Sequence, residues 1–85
     1  MKQIVEVQDE GLVSLLGQKV TLLCDAYFYT GKLVGVNDYC VKLENPAIVY
    51  ETGSWGEPAY RDQQALPCQH LYVSTAKIEA FGVLK

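Results

Sequence analysis

The sequence predicts an all-β domain, a strongly bent five-stranded antiparallel barrel with a short N-terminal helix. Apolar and polar residues alternate through residues 20–43, and breaks at glycine, asparagine and aspartate divide this stretch into three runs. Such a pattern is typical of an antiparallel meander. Gly31 and Gly35 interrupt the middle run, and a glycine inside a strand usually marks a bend or a bulge. A sheet bent twice in its central strand is expected to close into a small barrel.

Length and composition limit the possible classes of protein. Eighty-five residues, 49% of them hydrophobic, indicate one ordered domain with a small core. No apolar run approaches the roughly 20 residues that cross a bilayer, and the N-terminus does not lead into a signal-peptide core. Three cysteines without a C-x-x-C pair favour a reducing compartment, so we expect a cytoplasmic protein. The net charge of −3 lacks the basic footprint of most nucleic-acid binders.

The N-terminal part predicts a tail or edge strand over residues 1–8 and a helix over residues 9–16. Asp9 is placed as the N-cap, and Gly17 as the residue that ends the helix in a left-handed conformation. A helix of about two turns is not stable alone, so it is expected to cap one end of the barrel. The apolar face of this helix consists of Leu12, Val13, Leu15 and Leu16.

The remaining strands are predicted from alternation and from turn residues. Strands one to three occupy residues 19–50, with a kink or bulge at Asn45-Pro46, and strands four and five occupy residues 70–83. Residues 51–69 are rich in glycine, proline and polar side chains, which predicts a long insertion loop. Long loops in compact domains are often functional. Its candidate partner-binding residues are Trp55, Tyr60 and Arg61.

The order of these features resembles a known family. The first set of matching positions is Val20, Leu23, Asp25-Ala26, Gly31-Lys32-Leu33, Gly35-Val36-Asn37 and residues 39–43. These residues and their spacing resemble the first motif of Sm-like proteins, which include the Hfq branch, and the match needs no gap. Val73, Ile78 and Phe81 match the apolar positions of the family's second motif. The resemblance covers most of the chain except the insertion.

The resemblance implies a fold, an assembly and an RNA site. The fold is an SH3-like barrel in which the fourth strand of one subunit pairs with the fifth of the next and closes a homo-oligomeric ring. Two exposed sheet edges gain stability by such pairing. The family's pore aromatic, which stacks on an RNA base, corresponds to Tyr39. The other implied RNA-binding positions are Asn37, Ser74, Thr75 and Lys77.

Several positions depart from the family's RNA pocket, so two functions stay open. Asn37 replaces an aspartate, Val41 replaces the asparagine that bonds the base, and Ser74-Thr75 replaces an Arg-Gly pair. Only Lys77 stands near the Lys-His pair of the Hfq branch. The first hypothesis is a single-stranded RNA-binding scaffold with altered specificity. The second is an oligomeric protein-interaction module that has lost RNA binding and uses residues 51–69.

The candidate chemistry beyond binding is sparse. His70 is the lone histidine, and Cys68-Gln69-His70 is the one local pair that offers two metal ligands. Structural zinc sites normally show two such pairs, so we predict no metal, no cofactor and no enzymatic activity. The aromatic residues of the first turn, Tyr27, Phe28 and Tyr29, are expected either to pack on the barrel and at a subunit interface or to form an exposed sticky surface.

Overall fold

The computed structural model describes residues 11–84, which form one antiparallel β-sheet of six strands. The strands are β1 (Lys19–Cys24), β2 (Phe28–Val36), β3 (Cys40–Glu51), β4 (Asp62–Ala65), β5 (His70–Ser74) and β6 (Ile78–Val83). Their order is β4-β3-β2-β1-β6, and β5 also pairs with β3. Within the described residues no helix has the length and apolar character needed to cross a membrane. The all-β prediction is confirmed. The predicted tail or edge strand over residues 1–8 and the predicted N-cap Asp9 lie outside the described range.

The predicted two-turn helix is instead a single 3₁₀ turn over Leu12–Leu15. In a 3₁₀ helix residues three apart lie on one face, so Leu12 and Leu15 both pack against the core. Val13, which is 65% exposed, and Leu16 face solvent, so the expected four-residue apolar face is wrong. The prediction for Gly17 is confirmed, because its φ is +89° and its N–H donates to the Leu33 carbonyl at 2.7 Å.

The main core lies on one face of the sheet and follows the predicted alternation. Its buried members are Val20, Leu22, Cys24, Leu33, Val41, Leu43 and Val73. They come from β1, β2, β3 and β5, whose register aligns them in cross-strand rows such as Leu33 with Leu43 and Val41 with Val73. Because opposite residues of an antiparallel pair share a face, these rows form one continuous apolar layer.

A bulge at Asn45-Pro46 bends β3 where the sequence predicts a kink. One extra residue of β3 fits between the pairs Lys32–Glu44 and Thr30–Ala47, and Asn45 takes a positive φ of 52°. Gly31 lies opposite, and a Cβ there would be 3.1 Å from the Glu44 carbonyl oxygen. The bulge also reverses the alternation of β3. Its odd-numbered residues face the main core before the bulge and the opposite face after it.

The strand β4 corrects the prediction of an uninterrupted loop over residues 51–69. Asp62–Ala65 pairs with the part of β3 that follows the bulge, and all four of its residues are exposed. A strand that is polar on both faces has no alternating pattern, so its ladder of backbone hydrogen bonds leaves no signal in the sequence. The strand count is therefore six rather than five, and the predicted fourth and fifth strands are β5 and β6.

The three cysteines are unpaired and differ in burial, which predicts an order of reactivity. Cys24 is buried, Cys40 is half-buried and Cys68 is exposed. Burial raises the pKa of the Cys24 thiol, and the Glu79 carboxylate raises it further. Since the thiolate is the reactive form, iodoacetamide at neutral pH should alkylate Cys68 first and Cys24 last, as measured by peptide mass mapping. In denaturant the three rates should become similar, and equal rates in the native protein would contradict this order.

Candidate functional site

The turn between β2 and β3 carries the two predicted pore residues of the first motif. The Asn37 side-chain oxygen accepts hydrogen bonds from the backbone N–H groups of Tyr39 at 2.7 Å and Cys40 at 2.9 Å. The Asn37 N–H donates to the Cys40 carbonyl at 3.0 Å, which closes the turn. Asparagine is suited to such turns because its side chain satisfies nearby backbone groups. The Tyr39 side chain projects from this turn and is 81% exposed.

The 3₁₀ turn Thr75–Lys77, which joins β5 to β6, is bound to the same turn. The Thr75 N–H donates to the Tyr39 carbonyl at 2.9 Å, and the Thr75 hydroxyl donates to the Asp38 carbonyl at 2.9 Å. Two segments that are far apart in sequence therefore meet at Tyr39. The structure brings Asn37, Tyr39 and Thr75 together, and their role in RNA binding stays a prediction.

The hydrogen bonds of this turn distinguish a residue that can contact a ligand from the residues that position it. The Asn37 oxygen is engaged by two backbone donors, and the Thr75 hydroxyl proton is engaged by Asp38. Both residues therefore hold the turn in place, whereas the Tyr39 ring is free to meet a ligand. The candidate turn site consists of Tyr39 as the contact and of Asn37 and Thr75 as positioning residues.

Ser74 and Lys77, the other two predicted pore residues, line a groove beside β5. The groove has a volume of about 370 Å³ and lies between β5 and the turn from β1 to β2. Its apolar lining includes Tyr29, Leu71 and Val73. Among residues 11–84, β5 pairs only with β3, so this groove runs along a free sheet edge.

The insertion folds over the face of the sheet opposite to the main core. The rings of Trp55 and Tyr60 pack on Phe28 with centroid separations of 6.4 and 6.3 Å. The Tyr60 hydroxyl hydrogen-bonds to the Thr21 hydroxyl at 2.7 Å. Phe28 therefore packs on the domain. This position agrees with one of the two interpretations given above for the aromatic residues 27–29. The Trp55 side chain remains 74% exposed although its ring rests on Phe28.

A second, smaller buried cluster lies beneath the insertion. Val49 and Thr30 are buried yet do not belong to the main core cluster. Val49 is paired with Phe28, and the Thr30 hydroxyl donates to the Gln63 side-chain oxygen at 3.4 Å. Sequence reasoning missed this cluster because the alternation of β3 reverses at the bulge. The one available signal was the Asn45-Pro46 pair, which marks where that reversal occurs.

Arg61 lies at the base of the insertion, and its role in partner binding stays a prediction. The Arg61 guanidinium lies 3.3 Å from the Glu51 carboxylate, and the Arg61 backbone N–H donates to the Thr52 carbonyl at 3.3 Å. Both side chains of this ion pair are largely exposed, and exposed pairs contribute only about 0–1 kcal/mol. The structure therefore places Trp55 and Tyr60 together, whereas Arg61 lies apart from them at the base of the insertion.

The candidate ligands for a metal do not form a cluster. Within residues 11–84 no group of three or more histidine, cysteine, aspartate or glutamate side chains is arranged to hold a metal ion. The His70 Nε2 atom lies 4.0 Å from the Glu44 carboxylate, and Cys68 is exposed. The chain matches no family model, no curated protein and no solved structure.

Proposed function

We propose that the protein is an Sm-like, ring-forming scaffold that binds single-stranded RNA through Tyr39 with altered specificity, in a reducing cytoplasm. The observation that carries the proposal is the Tyr39 ring, which is exposed on a turn held by five hydrogen bonds that involve Asn37 or Thr75. Exposed aromatic rings on rigid supports are the usual platforms for unstacked RNA bases. A rigid turn also lowers the entropy lost on binding.

The strand order supports the Sm-like part of the proposal. If β4 is set aside, the order is β5-β3-β2-β1-β6, with a short 3₁₀ turn joining the two outer strands. This places the strands that correspond to the family's fourth and fifth at opposite edges, as the resemblance implies. Among the described residues each of these strands pairs on one side only. An SH3-like barrel with two free edges is the subunit that a head-to-tail ring requires.

The side chains at the two edges also favour ring closure. Phe81 is exposed although it lies opposite the buried Leu22 on the core-facing side of β6. The edge at β5 offers the groove that is lined by Leu71 and Val73. Antiparallel pairing of β6 with β5 of a second copy would remove these apolar surfaces from water, which is favourable at about 25 cal/mol per Å².

The Tyr39→Ala variant tests the RNA proposal. Base stacking on an aromatic ring contributes about 1–3 kcal/mol per base. We therefore expect the affinity for short oligo-U or oligo-A RNA to fall by about 5- to 150-fold. Fluorescence anisotropy measures the affinity, and native mass spectrometry verifies that the ring is unchanged. Tyr39→Phe should retain binding, as should Tyr50→Ala at the opposite end of β3. Unchanged affinity of Tyr39→Ala would remove the RNA site from the proposal.

A second candidate function is favoured by the insertion, which combines an exposed Trp55 with a neighbouring cavity in an acidic chain. In this case the protein is an oligomeric protein-interaction module, and the turn at Tyr39 has no ligand. Native mass spectrometry with both RNAs separates the two functions. A closed ring that takes up RNA supports the first, and a closed ring that ignores RNA supports the second.

A further inference from the structure

The cavity beside Trp55 is separate from both the Tyr39 turn and the groove beside β5. It has a volume of about 480 Å³ and lies between the insertion and the C-terminal end of β6. Trp55, Pro58 and Tyr60 line it from the insertion, and it is closed by Val83 at the end of β6 and by the following Leu84. An open cleft that combines aromatic side chains with a few polar groups is a common form of ligand site.

The aromatic wall of this cavity is held in place before any ligand arrives. Phe28 supports Trp55 and Tyr60 from beneath, and the Tyr60 hydroxyl is bonded to Thr21. The ring planes of Trp55 and Tyr60 are tilted against that of Phe28 by 32° and 56°. A wall of this kind binds at low entropic cost because its side chains are already ordered.

The charge around the cavity is negative. Glu57 lines it, and a Cβ on Gly53 would lie 3.1 Å from the Glu57 carboxylate, so this carboxylate rests on the loop backbone. Across the described part of the chain, no lysine, arginine or histidine nitrogen comes within 4.0 Å of it. The arginine of the insertion is engaged by Glu51. Within residues 11–84, the site therefore offers one carboxylate without a salt bridge to a cation of the ligand.

We propose that this cavity binds an extended, proline-containing peptide segment that carries an arginine or lysine at one end. Proline-rich segments form a polyproline II helix that is ordered before binding, and their rings fit furrows between aromatic side chains. Their carbonyl groups are free, so the Trp55 indole N–H can donate to one of them. The cationic residue then meets Glu57. An RNA strand is disfavoured here because its phosphates would face the same carboxylate.

The proposal names a ligand for the second candidate function and requires neither the ring nor the Tyr39 turn. Trp55 is the single tryptophan of the chain, so its fluorescence reports directly on the cavity. The probe is a synthetic peptide of consecutive prolines that ends in arginine. We expect a saturable blue shift of the emission. The same peptide with glutamine in place of arginine should bind several-fold more weakly, and a glycine-serine peptide of equal length should not bind.

Two variants separate the contributions of the ring and the charge. Glu57→Gln should make the arginine and glutamine peptides bind equally, because it removes the charge that distinguishes them. Trp55→Leu should weaken binding at least tenfold by calorimetry, while circular dichroism remains that of the wild type because the side chain is exposed. Tyr39→Ala should bind the peptide normally, so failure of the RNA proposal and failure of this one are distinguishable.

Several outcomes would overturn the proposal. They include a response that never saturates, an equal response to the glycine-serine peptide, and a preference for glutamine over arginine. Saturable quenching by oligo-U RNA would show that bases occupy the cavity instead. An emission shift that depends on protein concentration without peptide would assign the cavity to a second copy of the chain.

Discussion

Replacing Leu22 with alanine is expected to lower the free energy of unfolding by about 2–5 kcal/mol. Leu22 is fully buried at the centre of β1, where it joins the largest side chains of the main core. The substitution removes apolar contacts and leaves a cavity that the surrounding strands fill only in part. Since small domains have a total stability of only about 5–15 kcal/mol, a large part of it would be lost. Urea denaturation measures the change from the transition midpoint and slope.

Val13→Ala is the matched control for this experiment. Val13 lies in the 3₁₀ turn and is 65% exposed, so its substitution should change the free energy of unfolding by no more than about 0.5 kcal/mol. If the two variants lost similar amounts of stability, Leu22 would not be in the core or Val13 would not face solvent. Either result would contradict the assignment of the two faces.

Gly31→Ala is expected to destabilise the protein by about 1–3 kcal/mol, as overpacking does in other cores. The added methyl group would lie 3.1 Å from both the Glu44 carbonyl oxygen and the Leu43 Cβ, and 3.4 Å from the Pro46 Cα. Two of these atoms belong to the backbone of the bulge and cannot rotate away. The methyl group can be accommodated only if β2 and β3 separate at the bulge. A loss of 1 kcal/mol should lower the Tm by about 4–8 °C.

Gly82→Ala provides the comparison, since a Cβ at Gly82 would meet nothing within 4 Å. Alanine reduces the entropy of the unfolded chain at such a site, so this variant should be as stable as the wild type or more stable by up to about 1 kcal/mol. Equal stability of the two alanine variants would show that the bulge opens at little cost. That result would contradict the close packing of β2 against β3 at Gly31.

The parts of the fold that the sequence predicts are those with one buried face. In β1 the alternation of Val20, Leu22 and Cys24 records which side chains face the core, so the strand and its buried face are both readable. Gly31 and Gly35 lie at the register shifts between β2 and β3, and at Gly31 a Cβ would meet the backbone of the bulge. Gly17 is readable for a different reason, since its positive φ is strongly unfavourable for other residues.

The parts that the sequence does not predict lack such a physical signature. The strand β4 buries no side chain, so nothing distinguishes its four residues from a loop. In the N-terminal turn, Leu12 with Leu15 and Val13 with Leu16 have the same spacing, and only the packing against β2 selects the first pair. Val49 follows the alternation of Val41 and Leu43 in sequence, yet it lies on the other face because the bulge intervenes.

The candidate sites show the same division. The Asn37–Tyr39 turn is predicted from local residues, because asparagine and aspartate favour the turn and a tyrosine follows. The hydrogen bonds that the Asn37 oxygen accepts, and the hydrogen bond from Thr75 to this turn, are not readable from local residues. The Thr75 bond depends on how the chain returns to β3 through β5 and β6. At the insertion, Trp55 and Tyr60 are recognisable from the sequence as aromatic residues in a polar loop. Phe28, which supports both rings, was separated from them by more than 25 residues and by the reversal in β3.

The bulge in β3 also separates two ladders of backbone hydrogen bonds that lie along this strand. Before Asn45-Pro46 the strand pairs with β5, and after it the strand pairs with β4, so the two ladders share no hydrogen bond. The linker between them is anchored at the junction by bonds from Leu66 N–H to the Pro46 carbonyl and from Asn45 N–H to the Gln69 carbonyl. Cooperative units of this kind open with different free energies. Opening of the β4 ladder is therefore expected to leave the hydrogen-exchange protection of the main core unchanged.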